Sequence, residues 1–234
     1  MLPSCDAAEI GVLSSPLALQ GGRRMESMEW LRVAAALVCL HGVVGLAAGQ
    51  STRPADLGAG KLLVASPDLA DPNFAKTVVL LVQYDDSGVV GLILNRRSKM
   101  AVSRVLDRVA GAKGRGDLVY SGGPVGKADV LALVRSPQAP GDATRVVGDL
   151  SLVGTKESLE KIFASKTGTG AVQVYLGYAG WTAPQLENEV ELGAWYIFQG
   201  SAKFVFDDAP DSLWDRLIRE TQLRIAAAGF ARRR

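Results

Sequence analysis

Apolar runs broken by Gly, Pro and short polar stretches divide the chain into candidate elements. Lys61-Leu62-Leu63-Val64-Ala65 predicts a compact strand. Residues 77–82 (TVVLLV) and 89–94 (VVGLIL) are rich in β-branched side chains and flank Tyr84-Asp85-Asp86-Ser87-Gly88, the composition of a hairpin with glycine in its turn. Before that hairpin, Asp71-Pro72 has the form of a turn or helix start, since aspartate accepts backbone N–H groups and proline fits a first helical position. Over 101–109, Val102, Val105, Leu106 and Val109 step by three and four, which predicts a short amphipathic helix ended by Gly111. Strands are predicted at 117–120, 130–134, 144–147 and 172–176. A helix is predicted at 156–164, where Leu159, Ile162 and Phe163 share a face and Glu157 lies four residues before Lys161. Thr182-Ala183-Pro184-Gln185 resembles a capping box with proline in the first turn, opening a helix through about residue 190. Strands at 194–198 and 203–206 then precede a helix from Asp211, with Leu213, Trp214, Leu217 and Ile218 facing inward. Many strands with three to four short helices, in no regular alternation, predict an α+β domain.

Ahead of this domain lies the apolar run 33–48 (VAAALVCLHGVVGLAA). A helix crossing hydrocarbon needs about 20 apolar residues, whereas a signal-peptide core needs about 7 to 15 and ends at a small-x-small site. Ala47-Ala48-Gly49 supplies that site, so residues 28–49 read as a signal peptide, with Gln50 as the first mature residue. The alternative is an uncleaved N-terminal anchor. A lipoprotein reading fails because Cys39 follows Leu37-Val38 in mid-run, and Arg23-Arg24 lacks a twin-arginine context. Residues 1–27 carry no periodic pattern and read as an extension of the start site, with Met25 and Met28 as alternative starts. Residues 50–59 read as a linker, 60–225 as the domain and 226–234 as a basic tail. The expected location is therefore periplasmic or secreted, with the cytoplasm as the alternative, and no stable membrane span is expected in the mature chain.

Composition changes this picture mainly by exclusion. The 234 residues are 48% hydrophobic and 21% charged, an ordinary globular balance, and the net charge of +2 gives no broad attraction for nucleic acid. The one histidine, His41, and both cysteines, Cys5 and Cys39, precede residue 50. A Ser-His-Asp triad, a thiolate nucleophile, a Cys/His zinc site and a disulfide are thus excluded from the folded part. Gly122-Gly123-Pro124-Val125-Gly126-Lys127 fails as a phosphate loop, because Ser121 stands where the first glycine belongs and Ala128 where Ser or Thr would hold magnesium. Gly168-Thr169-Gly170 lacks the third glycine of a dinucleotide loop and leads into a strand. No cofactor is expected.

Four ordered blocks carry a family resemblance. They are Ser66-Pro67-Asp68-Leu69-Ala70-Asp71-Pro72-Asn73-Phe74; Gly88, Gly91 and Asn95-Arg96; Gly122-Gly123-Pro124-Val125; and Gly177-Tyr178-Ala179-Gly180-Trp181 with Gln185-Leu186-Glu187 and Gly193-Ala194-Trp195. From about residue 60 to 224 the chain resembles the AlgH/YqgE family. The resemblance implies a single α+β domain built on antiparallel and mixed β-sheets, in a bacterial family with plant relatives that usually lacks an export signal. It implies no established activity. The regulatory label of some members rests on genetic association with exopolysaccharide production. The chain departs from the family pattern at Tyr84, where many members carry His before the hairpin turn, and at Arg97, where Pro commonly follows the Asn-Arg pair.

Candidate ligand-binding residues are Asn95, Arg96, Gly122, Gly123, Trp181, Gln185 and Glu187. Asn95 and Arg96 at a strand end either orient a carboxylate or phosphate, or are a turn-stabilising amide and a surface cation. Gly122-Gly123 is either a tight turn needing positive φ or an anion nest. Trp181 either packs in the core or lines a pocket beside the capped helix. Glu187 and Glu191 share one helix face with Glu189 on another side, either as acid/base or hard-cation groups or as a solvated face. Asp85-Asp86 and Asp207-Asp208 read as loop residues. The expected protein is an exported, non-catalytic binding or accessory protein. The competing class is a hydrolase independent of His and Cys, drawing on Ser66, Ser121, Asp71, Glu187 and Lys127. Direct DNA binding would need a basic recognition helix, and Arg232-Arg233-Arg234 is a tail.

Overall fold

Val78–Asp85 is buried on both faces over most of its length, which is why its sequence reads as an unbroken apolar run without alternation. It is β3, one of eleven strands in the computed structural model, which describes residues 50–138, 141–164 and 172–231. The others are β1 (Gln50–Ser51), β2 (Lys61–Ala65), β4 (Gly88–Ile93), β5 (Arg97–Ala101), β6 (Leu118–Ser121), β7 (Val125–Arg135), β8 (Thr144–Val147), β9 (Leu150–Val153), β10 (Val172–Trp181) and β11 (Trp195–Gln199). Five α-helices are described: α1 (Val102–Val105), α2 (Lys156–Ala164), α3 (Ala183–Glu191), α4 (Ala202–Val205) and α5 (Leu213–Ala231). The predicted extension and signal peptide, the Gly168–Gly170 loop and the Arg232–Arg234 run lie outside the described residues.

The strands run β1-β11-β2-β3-β4-β10-β7-β9-β8, with β6 added beside β10 and β5 beside β6. All pairings are antiparallel except β6 with β10, so the α+β domain carries the antiparallel and mixed sheet that the resemblance implies. β10 joins two lobes. Its residues Val172 to Tyr178 pair with β7, while Ala179, Gly180 and Trp181 pair with Gly91, Val90 and Val89 of β4. A bulge between Leu176 and Tyr178 marks the junction, and Gly177 there has φ +68. The sheet curls until Val147 of β8 lies against Gly60 beside β2. Gly60 has φ +83, and a Cβ added to it would sit 2.9 Å from the Val147 Cβ.

One core cluster spans Leu62, Leu80, Leu92, Leu133, Tyr175 and the α5 residues Trp214, Leu217 and Ile218. A second packs Val102, Val119, Ala132, Val174, Leu159 and Ile162 between one sheet face, α1 and α2. Three local expectations change. The helix expected over 101–109 is a single turn, α1, continued by turns whose N–H groups bond Leu106 and Val109 carbonyls. The strand expected over 203–206 is the helical turn α4, which buries Ala202 and Val205 three residues apart. The segment read as a linker carries β1 and a 3-10 turn at Pro54–Asp56, where Ser51 and Arg53 both donate to the Asp56 carboxylate.

Candidate functional site

Asn95 lies two residues past the end of β4 and holds the loop before β3 at two points. Its Oδ1 accepts from the Val78 N–H at 2.9 Å, and its Nδ2 donates to the Lys76 carbonyl at 2.9 Å. Lys76 is the one described non-glycine residue with positive φ, +56, so the amide grips the backbone where it is least relaxed. Arg96 crosses the same loop and donates to the Asn73 carbonyl at 2.7 Å and the Pro72 carbonyl at 3.2 Å. Burial pulls the guanidinium down from its ordinary value, with the charge of Asp71 opposing. Both side chains bond the chain's own backbone between residues 72 and 78.

The loop they hold presents Phe74. Its ring stacks on Trp181 at 5.3 Å and meets Trp195 edge-on at 5.6 Å, while the two indoles lie 6.2 Å apart and near perpendicular. Glu189 of α3 closes this cluster. Its Oε2 accepts from the Trp195 Nε1 at 2.9 Å and the Trp181 Nε1 at 3.2 Å, and its Oε1 accepts from the Gln185 Nε2 at 3.1 Å. Glu189 was not among the sequence candidates. The signal that would have found it is the run Trp181, Gln185, Glu189, each four residues on, beginning at the strand end that leads into α3.

Glu187 instead reaches the hairpin, where its Oε1 accepts from the Tyr84 hydroxyl at 2.9 Å. Burial and then this carboxylate push the Tyr84 phenol above its ordinary value. The position at which the family resemblance places a histidine thus keeps a donor for the α3 carboxylate. Arg97, the other departure, donates to the Asp211 carboxylate at 2.8 Å and ties β5 to the turn before α5.

Gly122 and Gly123 lie where the lobes meet, and neither has positive φ, which corrects the expected tight turn. Close approach is what demands glycine there. A Cβ on Gly122 would sit 2.2 Å from the Gly177 carbonyl oxygen, and one on Gly123 would sit 2.2 Å from the Tyr178 carbonyl oxygen. The Gly122 N–H donates to the Leu176 carbonyl and its own carbonyl accepts from the Ile93 N–H, so the residue bridges β10 and β4. The hydrolase pool is distributed differently. Ser66 Oγ accepts from the Asp68 N–H at 3.3 Å, Asp71 accepts from the Asn73 N–H at 2.8 Å, and Ser121 and Lys127 are exposed on β6 and β7. Among the described residues no hydrogen bond or ion pair joins one member of that pool to another. A separate groove of about 280 Å³ lies between α4 and α5, where Arg216 donates to the Asp207 carboxylate at 2.6 Å.

These features define a single-domain α+β protein whose two sheet lobes share one strand and whose signature blocks meet in a glycine crossing and an aromatic cluster. Residues 62–226 match the AlgH-like family, and the chain belongs to it. A UPF0301 protein of Streptomyces avermitilis is 36% identical over 173 residues, covering 71% of this chain and 88% of the relative. A UPF0301 protein of Chlorobium phaeobacteroides is 36% identical over 166 residues, covering 70% and 86%. The solution structure of the AlgH protein from Pseudomonas aeruginosa has a TM-score of 0.56 and 31% identity, over 71% of this chain and 87% of that one. The crystal structure of a Corynebacterium diphtheriae protein has a TM-score of 0.60 over 70% and 87%, and at 24% identity the likeness is one of fold.

Proposed function

We propose that this chain is a non-catalytic binding or accessory protein that works outside the cytosol. The first part is supported by one observation: the polar groups of the family blocks are directed at the chain's own backbone and side chains. Asn95 and Arg96 hold carbonyls of residues 72–76, Glu187 holds Tyr84, and Glu189 holds two indoles. A hydrolase would need a serine beside a base, and Ser66 instead caps its own turn. The purified chain, assayed on chromogenic ester, phosphate and glycoside substrates, is expected to show no turnover beyond that of its Ser66→Ala and Ser121→Ala variants. Turnover that either substitution abolishes would overturn the reading.

The second part is supported by the apolar run 33–48 and its Ala47-Ala48-Gly49 end. The N-terminus and intact mass of the protein from separated periplasmic, membrane and cytosolic fractions test it. A chain starting at or near Gln50 outside the cytosol is expected. A soluble cytosolic chain retaining residues before Val33 would return the domain to the cytoplasm.

A further inference from the structure

The segment joining β5 to β6 holds a local excess of cations. Between residues 97 and 115 the sequence carries Arg97, Lys99, Arg104, Arg108, Lys113 and Arg115 against one acid, Asp107. Two of them are already matched, Arg97 by Asp211 and Arg115 by Asp117. Lys99, Arg104, Arg108 and Lys113 are exposed, and among the described residues no ion pair or hydrogen bond engages their side chains. The backbone gathers this segment. The Val102 N–H donates to the Asp117 carbonyl at 2.8 Å and the Ser103 N–H to the Arg115 carbonyl at 3.2 Å, so the chain doubles back and lays 99–104 beside 113–118. Val102, Val105, Leu106, Val109 and Ala112 are buried in the second core cluster and fix the turn from beneath. Met100 and Leu118, 39% and 40% exposed, belong to the same place, since Leu118 pairs with Ala101, the residue after Met100. β5 pairs with β6 alone, so this apolar spot and the unmatched cations stand at an edge of the sheet.

We propose that this surface docks an acidic protein segment, with an aliphatic side chain of the partner set against Met100 and Leu118 and its carboxylates against Lys99, Arg104, Arg108 and Lys113. Charge complementarity selects the sign of the partner. A guanidinium pairs a carboxylate through two parallel hydrogen bonds, and unmatched cations at a rim speed the encounter with an anionic chain. Methionine suits the apolar contact because its unbranched thioether adapts to what it meets. The contact runs through side chains and is not strand addition. Arg97 and Ala101 of β5 lie opposite Tyr120 and Leu118 of β6, four steps against two, and this bulge with Lys99 inside it blunts the edge. A nucleic acid would use the cations, but the exposed apolar side chains are aliphatic and give bases nothing to stack on. The single turn of α1 is also too short to fill a major groove. A lipid surface fits less well, since Met100 and Leu118 are more than half covered and sit on strands instead of an amphipathic helix. No described helix is long and apolar enough to cross a membrane. The proposal rests on the binding reading above, names the partner's chemistry, and is independent of the export reading.

Fluorescence anisotropy of a short fluorescein-labelled peptide of glutamates around two leucines, titrated with the full chain, tests it. Salt-sensitive binding is expected. The Arg104→Glu, Arg108→Glu double variant should weaken it about tenfold while keeping the parent's thermal melt, since both arginines are exposed and unpaired among the described residues. That variant should in turn bind the matching peptide of lysines around two leucines, a gain that a damaged fold would not give. Leu118→Ser in the protein, or serine for leucine in the peptide, should each weaken binding of the glutamate peptide about threefold. The peptide change keeps this arm valid if Leu118→Ser unfolds the chain. No binding of the glutamate peptide, equal binding by the parent and the double arginine variant, or indifference to the peptide's leucines overturns the proposal. So does tighter binding of a single-stranded oligonucleotide or of phosphatidylglycerol vesicles than of the peptide. These outcomes leave the turnover assays above untouched, so failure of this docking surface and failure of the binding reading are told apart.

Discussion

A single amide at Asn95 holds the chain at Lys76 and Val78, just after Phe74, so its loss frees two backbone groups at once. Asn95→Ala is expected to cost about 2 kcal/mol in urea unfolding. Glu189→Ala should cost a similar amount, about 2 kcal/mol, because two indole N–H groups lose their acceptor. It should also change tryptophan emission, which Glu187→Ala should alter much less since Glu187 bonds Tyr84 instead. At Gly123 any side chain meets a backbone carbonyl that cannot swing aside, so Gly123→Ala is expected to destabilise by about 3 kcal/mol, read from the denaturant midpoint. These residues also show how far sequence reasoning reaches. The turn role of Asn95 follows from its residue type at a strand end. The reason for Gly122-Gly123 does not, since a glycine required by a neighbouring strand looks the same in sequence as one required by its own φ.

At the scale of elements, legibility followed locality. The β3–β4 hairpin and the cap of α3 are encoded within a few residues, and both are present, with Thr182 Oγ1 accepting from the Gln185 N–H at 3.3 Å. Thr182→Ala should therefore cost about 1 kcal/mol, a loss that Thr182→Ser should largely restore in the same unfolding measurement. The strand expected over 203–206 failed because Phe204 and Phe206 alternate with Lys203 and Val205 as in a half-buried strand, while the surroundings bury Ala202 and Val205 instead. Tertiary packing decided that turn over β propensity. β1 was hidden for a different reason. Its polar residues Gln50 and Ser51 join the sheet through backbone pairing with Phe198 and Ile197, nearly 150 positions away. Glu189 is an intermediate case: the four-residue spacing from Trp181 marks it in the sequence, whereas its second bond, to the Trp195 indole, is seen only where β10, β11 and α3 meet.

For the molecule as a whole, the absence of histidine after residue 49 sets the pH response. Asp142 is held below the ordinary carboxylate value by the Ser158 hydroxyl and then by Thr155, Asp149 by Arg135, and Asp85 by Ser87 and then Gln83. A carboxylate that ionises more readily when folded adds stability above its unfolded value and loses it as pH falls through the folded one. Urea midpoints should therefore stay level from about pH 8 to about pH 5 and decline only below about pH 4. A marked loss between pH 7 and pH 6 would contradict this account. The central position of β10 has a further consequence during synthesis. β4 and β7 are complete in the nascent chain long before residues 172–181 are made, so each waits with an open edge for the strand that will lie between them. Ribosomes add about 5 to 20 residues per second, so the half-built sheet stays unclosed for several seconds. Through that interval both strands offer unpaired backbone groups to any other chain nearby, and β2 waits longer still, until Trp195–Gln199 of β11 are made.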